Sequence, residues 1–140
     1  MADPDREGGA STVRRHIETG AFALVLFLSS VVPVPGGLAA GRDGSGVVSS
    51  LAALGIGPTD PLHFVGYAVL AALLARTTGA TRRGLVVSVG TAVAFGFGVE
   101  LVQSTIPWRS FARRDVAVNA LGAIAGVGGY ALRQRWSGRN

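Results

Sequence analysis

The sequence predicts an all-α integral membrane bundle of four transmembrane helices with both termini in the cytoplasm. Three observations lead there. Apolar residues make up 49% of the 140 residues and charged ones only 15%, below the roughly 25% of soluble domains. Mean hydropathy is +0.43. The charges that do occur divide the chain into four apolar segments. A lipid-exposed open sheet would leave backbone groups unpaired, so these segments are read as helices.

The first segment carries no charge between Glu18 and Arg42 and is densest from Ala21 to Val34. Arg14 and Arg15 precede it and small residues follow near Ala39, which is also the outline of a signal peptide. Its apolar core is long for that role, and Leu38-Ala39-Ala40 is a poor cleavage match, so a retained anchor is expected. The second segment runs from Leu62 to Thr78, the third from Gly84 to Ile106, and the fourth from Val116 to Leu132. A span needs roughly 17–25 mostly apolar residues. The first and third meet this easily, while the second and fourth need their polar ends to reach the interface. Between the first and second, Val47 to Ile56 is too short to span and is expected to lie along the outer interface. These bounds give one domain: a cytoplasmic tail over 1–16, the transmembrane domain over 17–132, and a second cytoplasmic tail over 133–140.

All thirteen basic residues are Arg. With the N-terminus inside, nine fall on the inner side and four (Arg42, Arg109, Arg113, Arg114) on the outer. That bias favours cytoplasmic termini, and Trp108 and Trp136 then fall at opposite interfaces as an aromatic belt requires. The pI of about 11.3 does not point to nucleic acid, because the arginines flank apolar segments instead of forming a stripe interleaved with aromatics. There is no cysteine, hence no disulfide framework and no thiolate nucleophile or metal site.

Seven polar residues break the apolar pattern: Asp60, His63, Glu100, Gln103, Arg109, Asp115 and Asn119. Threaded through a bilayer, all seven arrive at the outer face. Asp60, His63 and Tyr67 share one helix face by their spacings of three and four, as do Glu100 with Gln103 and Asp115 with Asn119. Three short polar faces therefore start at one membrane surface and open toward one cavity. Glu100 is the costliest, lying six residues before Ile106 and so about 9 Å below the helix end. A carboxylate there either pairs with a cation or takes up a proton, and His63 and Arg109 are the available partners. Carboxyl and imidazole together suit general acid/base work. Glu100, His63 and Asp115 are thus the catalytic candidates, with Asp60, Gln103, Arg109 and Asn119 as ligand-binding ones. One His with carboxylates is a weak metal pattern, so no metal site is assigned and any cofactor is left open. The competing account is helix glue, with each hydrogen bond contributing roughly 0.6–2 kcal/mol. Gln103 and Asn119 fit it best. Arg113 and Arg114 read as interfacial, snorkelling or touching phosphate headgroups. Asn119, Gly122 and Gly126 share a face, and the two glycines form a small-xxx-small packing pattern.

The same residues carry a family resemblance. The run from Asp60 to Leu70, D-P-L-H-F-V-G-Y-A-V-L, resembles the D-K-x-x-H-F-x-x-Y-x-x-L signature of VanZ-like membrane proteins. Glu100-x-x-Gln103, then Arg109, then Asp115-x-x-x-Asn119-x-x-Gly122-x-x-x-Gly126 is similar to the second half of that pattern. One departure is plain: Pro61 stands where the signature has Lys, so any anionic ligand must find its charge elsewhere, as from Arg109 or Arg113. The resemblance implies a small helical membrane protein of the cell envelope. The namesake of the family is associated with resistance to the glycopeptide teicoplanin, and the family brings no settled reaction. Three functions are therefore expected to compete. One is an enzyme on a lipid or lipid-linked envelope precursor, and another is a non-catalytic protective or binding module. The third is a structural subunit meeting a membrane partner protein or a second copy of itself.

Overall fold

The structure, a computed structural model, describes residues 4–31, 60–107 and 113–139. Four helices and no strand occur among them. They are α1 (Pro4–Val31), α2 (Asp60–Thr78), α3 (Arg82–Gln103) and α4 (Arg113–Ser137). Helices α2 and α4 cover the second and fourth apolar segments, whereas α3 ends at Gln103 short of Ile106, so Glu100 stands in its last turn and is shallower than the apolar pattern predicts. At its ends the helical structure outruns the apolar pattern: α1 is helical through Arg14 and Arg15, and α4 continues past Leu132. Charge-delimited segments miss such ends because a helix leaving the apolar zone keeps its backbone bonds and needs only local support. Arg14 and Glu18 supply some of it as an i,i+4 pair at 2.8 Å. The 36–59 loop, including Val47 to Ile56, lies outside the described residues, as do Trp108 and Arg109.

Helices α2 and α4 form the most extensive contact, α3 packs against both, and α1 lies mainly on α2 and less on α3. Asp60 and Arg114, each in the first turn of its helix, are joined by an ion pair, so α2 and α4 start at the same end. The chain reverses between α2 and α3 through Gly79, whose φ of +87° favours a residue without Cβ. Thr81 then caps α3 by accepting from the Gly84 backbone N–H at 3.1 Å. Gly84 itself seats the end of α2: a Cβ there would stand 2.5 Å from the Gly79 carbonyl oxygen and 2.7 Å from that of Thr78.

Small residues set the α2–α4 distance. A Cβ on Gly122 or Gly126 would overlap the Phe64 or Ala68 backbone carbonyl, so the two backbones meet without side chains between them. Around this seam lies a core of Tyr67, Leu70, Ala71, Ala75, Ala92, Ala123 and Val127. The outer surface is apolar: Val65, Val86, Leu121 and Ile124 are each more than half exposed. Meanwhile Asp60, Ser88, Glu100, Gln103 and Asn119 are buried. Polar groups inside and aliphatic groups outside invert the pattern of a water-soluble domain. Two of the helices, α3 and α4, are long and apolar enough to cross a membrane.

Candidate functional site

The polar residues gather where α1 ends, α2 begins, α3 ends and α4 begins. At the rim, Asp60 opens α2 and favours the positive end of its dipole. Arg114, from the first turn of α4, pairs with it through Nη2 to Oδ2. One turn further along α2, His63 Nδ1 donates to Asn119 Oδ1 at 3.2 Å. Nδ1 is engaged in that bond, which leaves Nε2 as the ring nitrogen outside it.

Another turn inward, Tyr67 meets Asn119 at Gly96. An ideal Cβ at Gly96 would stand 2.9 Å from the Tyr67 ring and 3.1 Å from Asn119 Nδ2. The absence of a side chain on α3 thus admits one residue from α2 and one from α4. Tyr67 is 1% exposed, tilts against Phe95 at a centroid distance of 6.3 Å, and its hydroxyl has no hydrogen-bond partner among the described residues. Glu100, one turn beyond Gly96, is also 1% exposed and lies near the Tyr67 hydroxyl. Gln103 closes the site toward α1, donating from Nε2 to the Ser30 carbonyl at 2.7 Å.

The structure therefore brings Asp60, His63, Glu100, Gln103 and Asn119 to one end of the bundle, on three helices. Asp115 stands half-buried in the first turn of α4, one turn before Asn119, with no ion partner among the described residues. Arg109 is outside the described residues. Among those described, no three His, Asp or Glu side chains assemble as metal ligands. Two participants escaped the sequence reading. The sequence groups Arg114 with Arg113 as interfacial, and both are exposed, yet Arg114 also pairs with Asp60. Tyr67 had been placed on the right face without a role. The signal for it was available: a phenol surrounded by aliphatic residues must find a partner or pay for lacking one.

Buried polarity is not confined to this end. At the far end Ser88, fully buried, donates to the Gly84 carbonyl at 2.8 Å and lies 2.8 Å from Thr78 Oγ1. Those groups are hydroxyls bonded to nearby backbone and to each other, which is ordinary helix glue. A carboxyl, an imidazole and two amides on three helices are chemically different.

The family model described as VanZ/LLP1 matches residues 58–134, more than half of the chain. The match spans the site residues on α2, α3 and α4 and both seam glycines, and leaves out α1 with Ser30. No curated protein and no solved structure matches the chain.

Proposed function

The chain belongs to the VanZ/LLP1 family, and on that premise we propose a multi-pass protein of the cell membrane whose polar site binds or acts on a lipid or lipid-linked envelope component. All four helices span, and the site lies at the extracytoplasmic end. Several observations support the spanning arrangement. The outer surface is aliphatic, α3 and α4 have the length and apolarity of spans, and the arginines crowd toward the end opposite the site. At about 1.5 Å per residue the 28 residues of α1 exceed a hydrocarbon core of about 30 Å. Its first turns, ahead of Arg14, therefore project beyond the core on the cytoplasmic side, and Arg14 and Arg15 reach the interface by snorkelling.

The observation that carries a ligand site is the pair of Tyr67 and Glu100. Burying a phenolic hydroxyl with no partner costs about 1–3 kcal/mol, and it lies beside a buried carboxyl group. A lipid phosphate or hydroxyl entering from the rim would supply the missing partner. In the catalytic form of this reading, His63 Nε2 and Glu100 exchange protons with the substrate, and Asp115 orients it. Arg114, with Arg109, holds an anionic group, the task for which Pro61 provides no cation.

A second, non-catalytic form is favoured by the bonds already made. Asp60 is held by Arg114, His63 by Asn119 and Gln103 by Ser30, an arrangement that suits a rigid binding cavity. Substitution separates the forms. Glu100→Gln keeps the size and shape of the side chain but cannot exchange a proton. Under the catalytic form, His63→Ala and Glu100→Gln, expressed to normal levels in the membrane, lose the envelope phenotype. Under the binding form, Glu100→Gln keeps it, and mass spectrometry of the purified protein finds a co-purified lipid that incubation leaves unchanged. Full phenotype in both variants with no retained lipid would sink both forms.

A further inference from the structure

At the end opposite the polar site, three helices contribute to a cleft of about 510 Å³ lined by Arg15, Arg76, Tyr130, Arg133, Gln134 and Ser137. Arg15 comes from α1, Arg76 from the last turn of α2, and Arg133 from α4. The acid paired beside it is Glu18, and it is shared: Arg14 takes it at 2.8 Å and Arg76 at 3.6 Å. Arg15 and Arg133 have no ion partner among the described residues. Like charges drawn together from three elements repel unless an anion sits among them. Complementing helix dipoles explains Arg76, at the end of α2. It does not explain Arg15, which stands in mid-helix on α1. The Tyr130 hydroxyl accepts from Gln134 Nε2 at 2.8 Å, which leaves its own proton to donate into the cleft.

A second groove, about 500 Å³, adjoins the first and shares Arg133 and Ser137 with it. Its other walls are Gly129, Leu132 and Trp136. Leu132 and Trp136 are 56% and 69% exposed, so this apolar wall is open to whatever surrounds the bundle. A cationic cleft continuous with an apolar groove matches one chemistry, a phosphate head joined to a hydrocarbon tail.

We propose that this end of the bundle is a binding site for an anionic phospholipid of the cytoplasmic leaflet, its phosphate among Arg15, Arg76 and Arg133 and an acyl chain along Leu132 and Trp136. Basic pockets between membrane helices on the cytoplasmic side are suited to such headgroups. The site is separate from the polar cluster at the other end and rests only on the spanning arrangement proposed above.

The test uses the full chain purified in detergent, with lipid retention read by native mass spectrometry. Phosphatidylglycerol should be retained at least tenfold more tightly than phosphatidylcholine. Arg76→Gln with Arg133→Gln should weaken phosphatidylglycerol retention roughly thirtyfold, and Trp136→Ala should weaken both lipids. Arg82→Gln with Arg83→Gln removes two exposed arginines from the same end outside the cleft and should change retention little. Millimolar inorganic phosphate should not displace the lipid. Equal retention of the two lipids overturns the proposal, as does an equal effect of the two arginine pairs. Displacement by inorganic phosphate with no effect of Trp136→Ala also overturns it and leaves a simple anion site. Failure of the spanning arrangement is read separately, as extraction of the chain from membranes by alkaline carbonate.

Discussion

Tyr67 and Asn119 meet in the notch left by Gly96, and each shows how a polar atom in an apolar bundle is tied to stability. The Tyr67 hydroxyl gains no hydrogen bond from the described residues, so deleting it removes a desolvated group and no contact. Tyr67→Phe should leave thermal stability in detergent unchanged or raise it by up to about 1 kcal/mol, while ligand retention or phenotype falls. A drop in melting temperature would assign the hydroxyl a structural partner instead. Asn119 is the opposite case. Asn119→Ala strips the acceptor from His63 Nδ1 and should cost about 1–3 kcal/mol, read in the same melting experiment. Asp60, Glu100, Gln103 and Asn119 were legible in the sequence because each is expensive in hydrocarbon surroundings. Arg114 was not, because two adjacent exposed arginines look alike until helix packing brings Asp60 within reach of one of them.

Helix pairing rests on a few positions where backbone meets backbone. Ala at Gly122 or Gly126 would overlap the Phe64 or Ala68 carbonyl, and no flexible side chain is there to yield. Each should destabilise by about 1–3 kcal/mol, while Gly128→Ala, with nothing within 4 Å of its Cβ, should be neutral or stabilising by about 0.5–1 kcal/mol. Comparable losses at all three would mean that the seam is not the α2–α4 contact. At the reversal, Gly79→Ala places a Cβ at φ +87° and should cost about 1–3 kcal/mol. The small-xxx-small spacing on α4 was readable in advance. Its acceptor surface was not, since the Phe64 and Ala68 carbonyls are invisible to a side-chain pattern.

Across the whole molecule, polarity is sorted by end. Among the described residues, the buried carboxyl and amide side chains and His63 lie at one end, and most arginines with the Thr78–Ser88 hydroxyls lie at the other. The absence of cysteine makes the orientation directly measurable, since any introduced thiol is unique. With cytoplasmic termini, Ser137→Cys should react with an impermeant maleimide only after the cells are opened, and Ser104→Cys should react in intact cells. The reverse labelling would invert the topology and place the polar site on the cytoplasmic side. Ion pairs contribute little to holding the ends together. Glu18 and Arg76 are 36% and 46% exposed as side chains, and Glu18→Gln should shift stability by less than about 1 kcal/mol.

The positions of α2, α3 and α4, the shared end of their polar faces and the packing glycines could all be read from the chain alone. Hydrophobic burial and intramembrane polarity act locally and leave a periodic trace in sequence. Which polar groups satisfy one another could not be read in this way. The Asp60–Arg114 pair, the His63–Asn119 bond, the reach of Gln103 to Ser30 and the gathering of Arg15, Arg76 and Arg133 depend on helix phase and on how closely the helices approach. Those were decided only when Gly96, Gly122 and Gly126 let the backbones close, because a hydrogen bond or ion pair is lost within a displacement that leaves a hydrophobic contact intact.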